Sequence, residues 1–147
     1  MYKSIVVAVD DSDLSLKALR HATELARSLG AKVTAVTVTE LPLLIAPGAE
    51  IAQIQTASLM DEMERANAER AGEILRAARA AVPDATIETQ HVKDSHPSDG
   101  ILLAARDTGA DLIVMGSHGR RGLGRLLLGS QATEVLTRST IPVLVVR

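Results

Sequence analysis

The residues best suited to chemistry are concentrated in one stretch. Five of the ten glycines lie between Met115 and Ser130, in the run Met115-Gly-Ser-His-Gly-Arg-Arg-Gly-Leu-Gly-Arg-Leu-Leu-Leu-Gly-Ser130. Glycine lets backbone N–H groups come close to a ligand that a Cβ would hold off. The same stretch carries Arg120, Arg121 and Arg125, and no acid occurs from Gly116 to Thr133. It follows a short apolar run at 112–115 and precedes a segment of helical spacing that begins at Ser130. A helix N-terminus presents unpaired N–H groups and about half a positive charge, so the layout reads as an anion site, with phosphates the foremost candidates.

Two common phosphate motifs fail. Gly122-x-Gly124 has Leu127 where a dinucleotide fingerprint needs its third glycine, and Gly124-x4-Gly129 is followed by Ser130 where a P-loop needs lysine. That lysine reaches the β- and γ-phosphates, so P-loop chemistry is not expected. The spacing that remains is Gly116-x2-Gly119-x9-Gly129-Ser130. Asp10-Asp11-Ser12 is a second polar turn, at the end of a β-branched run. Asp10 reads either as a ligand contact or as a helix cap. His118 has no acid or nucleophile visibly paired with it, and no catalytic residue is assigned. His21, His91 and His96 are scattered without metal-ligand spacing and read as surface or capping residues, so no metal site on the protein itself is expected.

These segments need a frame to bring them together. Residues 5–9 form a continuous apolar run, as expected of a strand buried on both faces. Helical spacing over 15–29 ends at Gly30, and 33–38 is a second strand. Residues 41–57 contain Pro42, Pro47 and Gly48 and read as a long loop. A helix is expected over 58–81, a strand over 86–92, and a helix opening at Ser95-His96-Pro97 and stopping at Gly109. A strand at 112–115, a helix at 130–138 and a strand at 142–146 complete the chain. Strand–helix alternation of this kind predicts one α/β domain over 1–147, a doubly wound, five-stranded parallel sheet with helices on both faces. In the order 3-2-1-4-5, a flavodoxin-like or Rossmann-like open sheet, strands one and four are neighbours. The switch point between them then brings Asp10 beside the glycine loop. The last strand has no following helix to shield its edge, so a homodimer through 142–146 is expected to cover it.

Composition narrows the function further. The net charge of −2 gives no general attraction to nucleic acid or anionic membrane. Tyr2 is the sole residue of the Phe/Tyr/Trp set, so base-stacking platforms are missing and any bound ring must lie between aliphatic side chains and backbone. The absence of cysteine excludes disulfides, thiolate metal sites and cysteine nucleophiles. No apolar run approaches the length of a membrane span and the N-terminus lacks a signal-peptide layout, so the expected location is cytoplasmic.

The spacing Gly116-x2-Gly119-x9-Gly129-Ser130, the Val-Asp-x-Ser turn at 9–12, the Met-Gly-Ser-His-Gly segment at 115–119 and the Ile-Pro-Val-Leu-Val-Val ending at 141–146 together resemble the universal stress protein family. The resemblance spans nearly the whole chain. It implies a homodimeric, ATP-binding regulatory protein of the stress response, because members with the complete glycine signature bind ATP and those without it generally do not. By position, Gly116, Gly119, Gly129 and Ser130 would cradle phosphates and ribose. Asp10 would face the ribose, the base or a phosphate-bound Mg²⁺. Ala8, Val9 and Val38 would line the adenine, Met115 and His118 flank the glycines, and Arg120, Gln131 and Ala132 adjoin the site. ATP-binding relatives often place another hydroxyl just after the serine. Ala132 does not supply one, although Thr133 is adjacent. The ligand would be ATP, or AMP or another adenine nucleotide, with Mg²⁺ held through the phosphates, and a protein partner would read the bound state. Two alternatives stay open: a slow ATPase or nucleotidyl-transfer enzyme of the same fold, and a nucleotide-free dimerisation module.

Overall fold

Among the described residues the chain alternates strand and helix throughout: β1 (Ser4–Ala8), α1 (Asp13–Leu29), β2 (Lys32–Val38), α2 (Ala52–Ala81), β3 (Glu88–Val92), α3 (Pro97–Asp107), β4 (Leu112–Gly116), α4 (Ser130–Arg138) and β5 (Val143–Val146). The computed structural model describes residues 1–41, 52–119 and 128–147, and of 52–56 the backbone alone. The arginines Arg120, Arg121 and Arg125, and residues 42–51 of the expected loop, lie outside the described residues.

The five strands form one sheet in the order β3-β2-β1-β4-β5, with every neighbouring pair parallel, as the alternation predicts. β1 is central: Val6 is opposite Thr34 of β2 and Ile113 of β4. Strand side chains alternate in direction, and the apolar residues divide accordingly between two cores. Ile5, Val7, Val33, Ala35, Leu112 and Val114 pack with α1 and the end of α2 on one face. Val6, Val36, Ile113 and Met115 pack with α3 and α4 on the other. The fold is flavodoxin-like, with two helices on each face.

Local chemistry sets the element ends. Ser12 caps α1: its hydroxyl accepts from the Ser15 N–H, and the helix begins at Asp13, two residues before the helical spacing over 15–29. Gly30 closes the helix at φ 66°, the left-handed position a side chain rarely tolerates. α2 begins at Ala52, so 52–57 is helical and not part of the loop expected over 41–57. The last helix breakers are Pro47 and Gly48, and nothing in Ala-Gln-Ile-Gln-Thr-Ala interrupts a helix once they are passed. α3 approaches β2 so closely that a Cβ on Gly100 would lie 2.5 Å from Val38 Cγ1. At the opposite end of the sheet, the Asp111 carboxylate accepts from the Lys3 and Ser4 N–H groups and joins the starts of β1 and β4. Those bonds hold its carboxyl below the usual carboxylate range. No described helix is long and apolar enough to cross a membrane.

Candidate functional site

The chain leaves β1 toward one face of the sheet and β4 toward the other, and the two strands are adjacent. Their diverging exits form the crevice in which open α/β sheets bind ligands. On the β1 side, Asp10 makes a tight local turn. Its Oδ1 accepts from the Ser12 N–H at 2.9 Å and also from the Ser12 hydroxyl. The Asp10 N–H donates to Ser15 Oγ at 3.1 Å, and the Ser15 hydroxyl lies 2.9 Å from the Asp10 carbonyl. Asp10 is therefore not the helix cap. It is the residue that the cap holds, and the direction of its carboxylate is set by α1.

On the β4 side, the loop is closed at its base. Ser117 N–H donates to the Val146 carbonyl at 2.8 Å, and Gly129 N–H donates to the Ser117 carbonyl at 2.7 Å. This brings Gly116–Gly119 back beside the start of α4, although the signature's glycines are far apart in sequence. A side chain at each signature glycine would crowd a neighbour. A Cβ on Gly119 would lie 3.0 Å from Asp10 Oδ2, so the glycine loop and the Asp10 turn approach closely. A Cβ on Gly129 would meet the Ser117 carbonyl and His118 Cα, each at 3.1 Å. A Cβ on Gly116 would meet Leu14 Cγ at 3.0 Å.

The N-terminus of α4 completes the arrangement. Its cap residue, Gly129, supplies no side-chain hydrogen bond, and no acid lies in the first turn. Among the described residues the first-turn N–H groups therefore have no capping side chain, and Ser130 is exposed at their head. Thr133 gives its hydroxyl to the Gly129 carbonyl at 3.0 Å. A bare helix end, a glycine cradle and one oriented carboxylate can hold an anion together with a hydroxyl donor. These residues fit the phosphates and ribose of a nucleotide. Among the described residues no group of three or more His, Asp and Glu is arranged to hold a metal ion.

The structure brings together Asp10, Gly116, His118, Gly119, Gly129 and Ser130. His118 is half-buried, with Nδ1 3.1 Å from Ser117 Oγ. Several expected contacts are engaged elsewhere. Met115 and Ala132 are buried in the α3/α4 core, and Val9 in the α1/α2 core, so they offer backbone and not side chain. Ala8 and Val38 are half-buried on the α3/α4 face, and Val38 packs against Gly100. Gln131 turns toward α3, where its Oε1 accepts from the Ser98 N–H at 3.0 Å. Arg120 lies outside the described residues.

The polar turn at 10–12 is legible in the sequence, and Ser12 there holds Asp10, since aspartate commonly accepts from the N–H two residues on. Three other neighbours of the site are not singled out by the sequence: Ser15 also holds Asp10, Leu14 backs Gly116, and the Ser117 carbonyl anchors Gly129. These depend on tertiary contact. Arg70 of α2 adds a rim contact, with its guanidinium 2.6 Å from Asp11 Oδ2.

Comparison with known proteins bears on the family and the fold. The family model described as "Universal stress protein family" matches residues 1–147. A universal stress protein of Methanocaldococcus jannaschii is 33% identical over 148 residues, covering 100% of this chain and 83% of that relative. Universal stress protein UspA from Lactobacillus plantarum superposes with a TM-score of 0.79 at 26% identity, covering 99% of this chain and 98% of that one. A universal stress protein solved in complex with cAMP gives 0.71 at 28% identity, with 99% and 97% covered. One from Archaeoglobus fulgidus in complex with dAMP gives 0.64 at 27%, with 99% and 98% covered.

Proposed function

The chain belongs to the universal stress protein family, and from that premise we propose that it is an ATP-binding regulatory protein that works as a homodimeric, nucleotide-dependent switch. The observation that carries this reading is the close approach of the Asp10 carboxylate to Gly119 beside the start of α4, which no described side chain caps. Phosphates would lie against Gly116, Gly119, Gly129 and Ser130, where N–H groups and the helix end favour negative charge. Asp10 is itself an anion. Direct contact with phosphate would be repulsive, so its natural partners are ribose hydroxyls or a phosphate-bound Mg²⁺. The aliphatic surroundings of Ala8 and Val38 would receive the adenine. Ser130 stands where a P-loop has its lysine, and the stretch from Gly116 to Thr133 contains no acid, so any ATP hydrolysis would be slow and the nucleotide acts chiefly as a ligand.

The cAMP and dAMP held by two neighbours favour a second reading, in which the preferred ligand is an adenosine monophosphate. One competition experiment covers both. Thermal melts of the protein with ATP, AMP and cAMP, each with and without Mg²⁺, should show stabilisation of about 2.7 kcal/mol at 100 times the dissociation constant. The nucleotide effective at the lowest concentration is the preferred ligand. No shift with any of the three would sink the nucleotide reading and leave the nucleotide-free dimerisation module.

A further inference from the structure

A second polar cluster lies where the exit of β2 meets the N-termini of α3 and α4. At its centre is His96, the residue before α3, with its side chain 44% exposed. Its Nδ1 lies 2.7 Å from Glu40 Oε1, just beyond β2. Its Nε2 lies 3.2 Å from Glu134 Oε2 and 3.3 Å from the Gln131 amide nitrogen, both on α4. Beneath the ring, Ser98 is fully buried; its hydroxyl donates to Glu134 Oε2 at 2.6 Å and its N–H to Gln131 Oε1. Arg138 of α4 pairs with Asp99 of α3 at 2.6 Å and reaches Ser98 Oγ at 3.4 Å.

Hydrogen-bond counting makes this arrangement two-state. A neutral imidazole has one N–H and cannot donate to two carboxylates, whereas an imidazolium donates to both. With the proton on Nδ1 alone, Glu40 keeps its bond and Nε2 becomes an acceptor. That lone pair suits the Gln131 amide and repels Glu134. The protonation state therefore decides which α4 side chain the ring holds. The charged groups facing the ring are Glu40 from the β2 exit and Glu134 from α4, while Arg138 and Asp99 largely neutralise one another.

We propose that His96 is a positioning residue, a proton-operated latch that sets how the first turn of α4, and Ser130 with it, stands against α3 and Glu40. The hydrogen bond that His96 donates to Glu40, together with the charge of Glu134, raises the His96 pKa above its ordinary value. The latch is therefore fully closed below the ordinary histidine range and opens as pH rises through the raised value. Its consequence for ligand affinity rests on the nucleotide reading above. The charged ring holds α4 by an ion pair to Glu134, which the neutral ring replaces only with a weaker, uncharged bond from the Gln131 amide. A firmly held α4 start is preorganised for phosphate, so affinity falls as the latch opens.

The test uses the intact protein. NMR titration without nucleotide should place the His96 midpoint above the ordinary histidine value, with the backbone amides of 130–132 shifting at the same midpoint. E134Q should lower that midpoint, and H96Q should abolish the amide transition. An ordinary midpoint, or α4 amides that do not follow it, overturns the latch. ATP affinity is then measured from about pH 5.5 to about pH 8 for wild type and H96Q side by side, which cancels the nucleotide's own phosphate titration. The wild type should lose roughly two- to fivefold more affinity than H96Q across that range, the scale of an exposed ion pair. Parallel profiles overturn the link to the site. Absence of ATP binding at every pH would instead sink the nucleotide reading, with the NMR midpoint still deciding the latch.

Discussion

At the scale of single residues, the glycines of the signature are not equivalent, and their neighbours say why. A side chain on Gly129 would meet backbone, the Ser117 carbonyl and His118 Cα, which cannot swing aside. One on Gly119 would meet the end of the Asp10 side chain. Gly129→Val should therefore cost about 1–3 kcal/mol of stability as well as ATP binding. Gly119→Val should leave stability within about 0.5 kcal/mol of wild type and still lose the ATP-dependent melting shift. Urea denaturation and melts with ATP, run on both variants, separate the two effects, and a Gly119→Val protein that binds ATP normally would remove Gly119 from the site. The glycine spacing is legible in the sequence because it is a property of residue type. The Ser117 carbonyl that anchors Gly129 is not, since every residue carries one. Gln131 departs from expectation for a related reason: adjacency to Ser130 in the chain does not fix a side chain's direction, and α3 offers it the Ser98 N–H.

At the scale of elements, the site depends on how α1 and α3 are seated. Ser12 both caps α1 and holds the Asp10 carboxylate. Ser12→Ala should lower stability by about 1 kcal/mol in urea denaturation and, by freeing Asp10, weaken ATP binding as well. A stability loss with unchanged affinity would confine Ser12 to capping. α3 is set by the near contact of Gly100 with Val38. Gly100→Ala places a methyl on a stiff, β-branched neighbour and should cost about 1–3 kcal/mol, and Val38→Ala added to it should recover part of that loss. Additive costs in the double variant would mean that the two residues do not collide. Element identity is readable from periodicity throughout. The start of α2 is the exception, because two prolines and a glycine colour the whole of 41–57, although its last six residues contain no breaker and are helical.

At the scale of the whole molecule, β5 is the exposed consequence of the topology. It lies at the edge of the sheet, pairs with β4 alone among the described strands, and leaves Leu144 40% exposed. Such an edge invites a second copy, and the proposed homodimer would cover it. Leu144→Glu should convert a dimer to a monomer in sedimentation analysis without unfolding it, and a wild-type chain that sediments as a monomer at every concentration would end the proposal. The sequence alone determined the strand–helix order, the parallel sheet and the two loops that matter. Each follows from local periodicity, breakers and the strand–helix alternation, which are written along the chain. Only the tertiary structure decided which residues of those loops meet. Asp10 and Gly119 are 109 positions apart by number, and their close approach exists because β1 and β4 are neighbours with diverging exits. The joining of Glu40, His96 and Glu134 was invisible for the same reason: no periodicity relates residues on three different elements, and the sheet order with its packed helices brings them within hydrogen-bond reach.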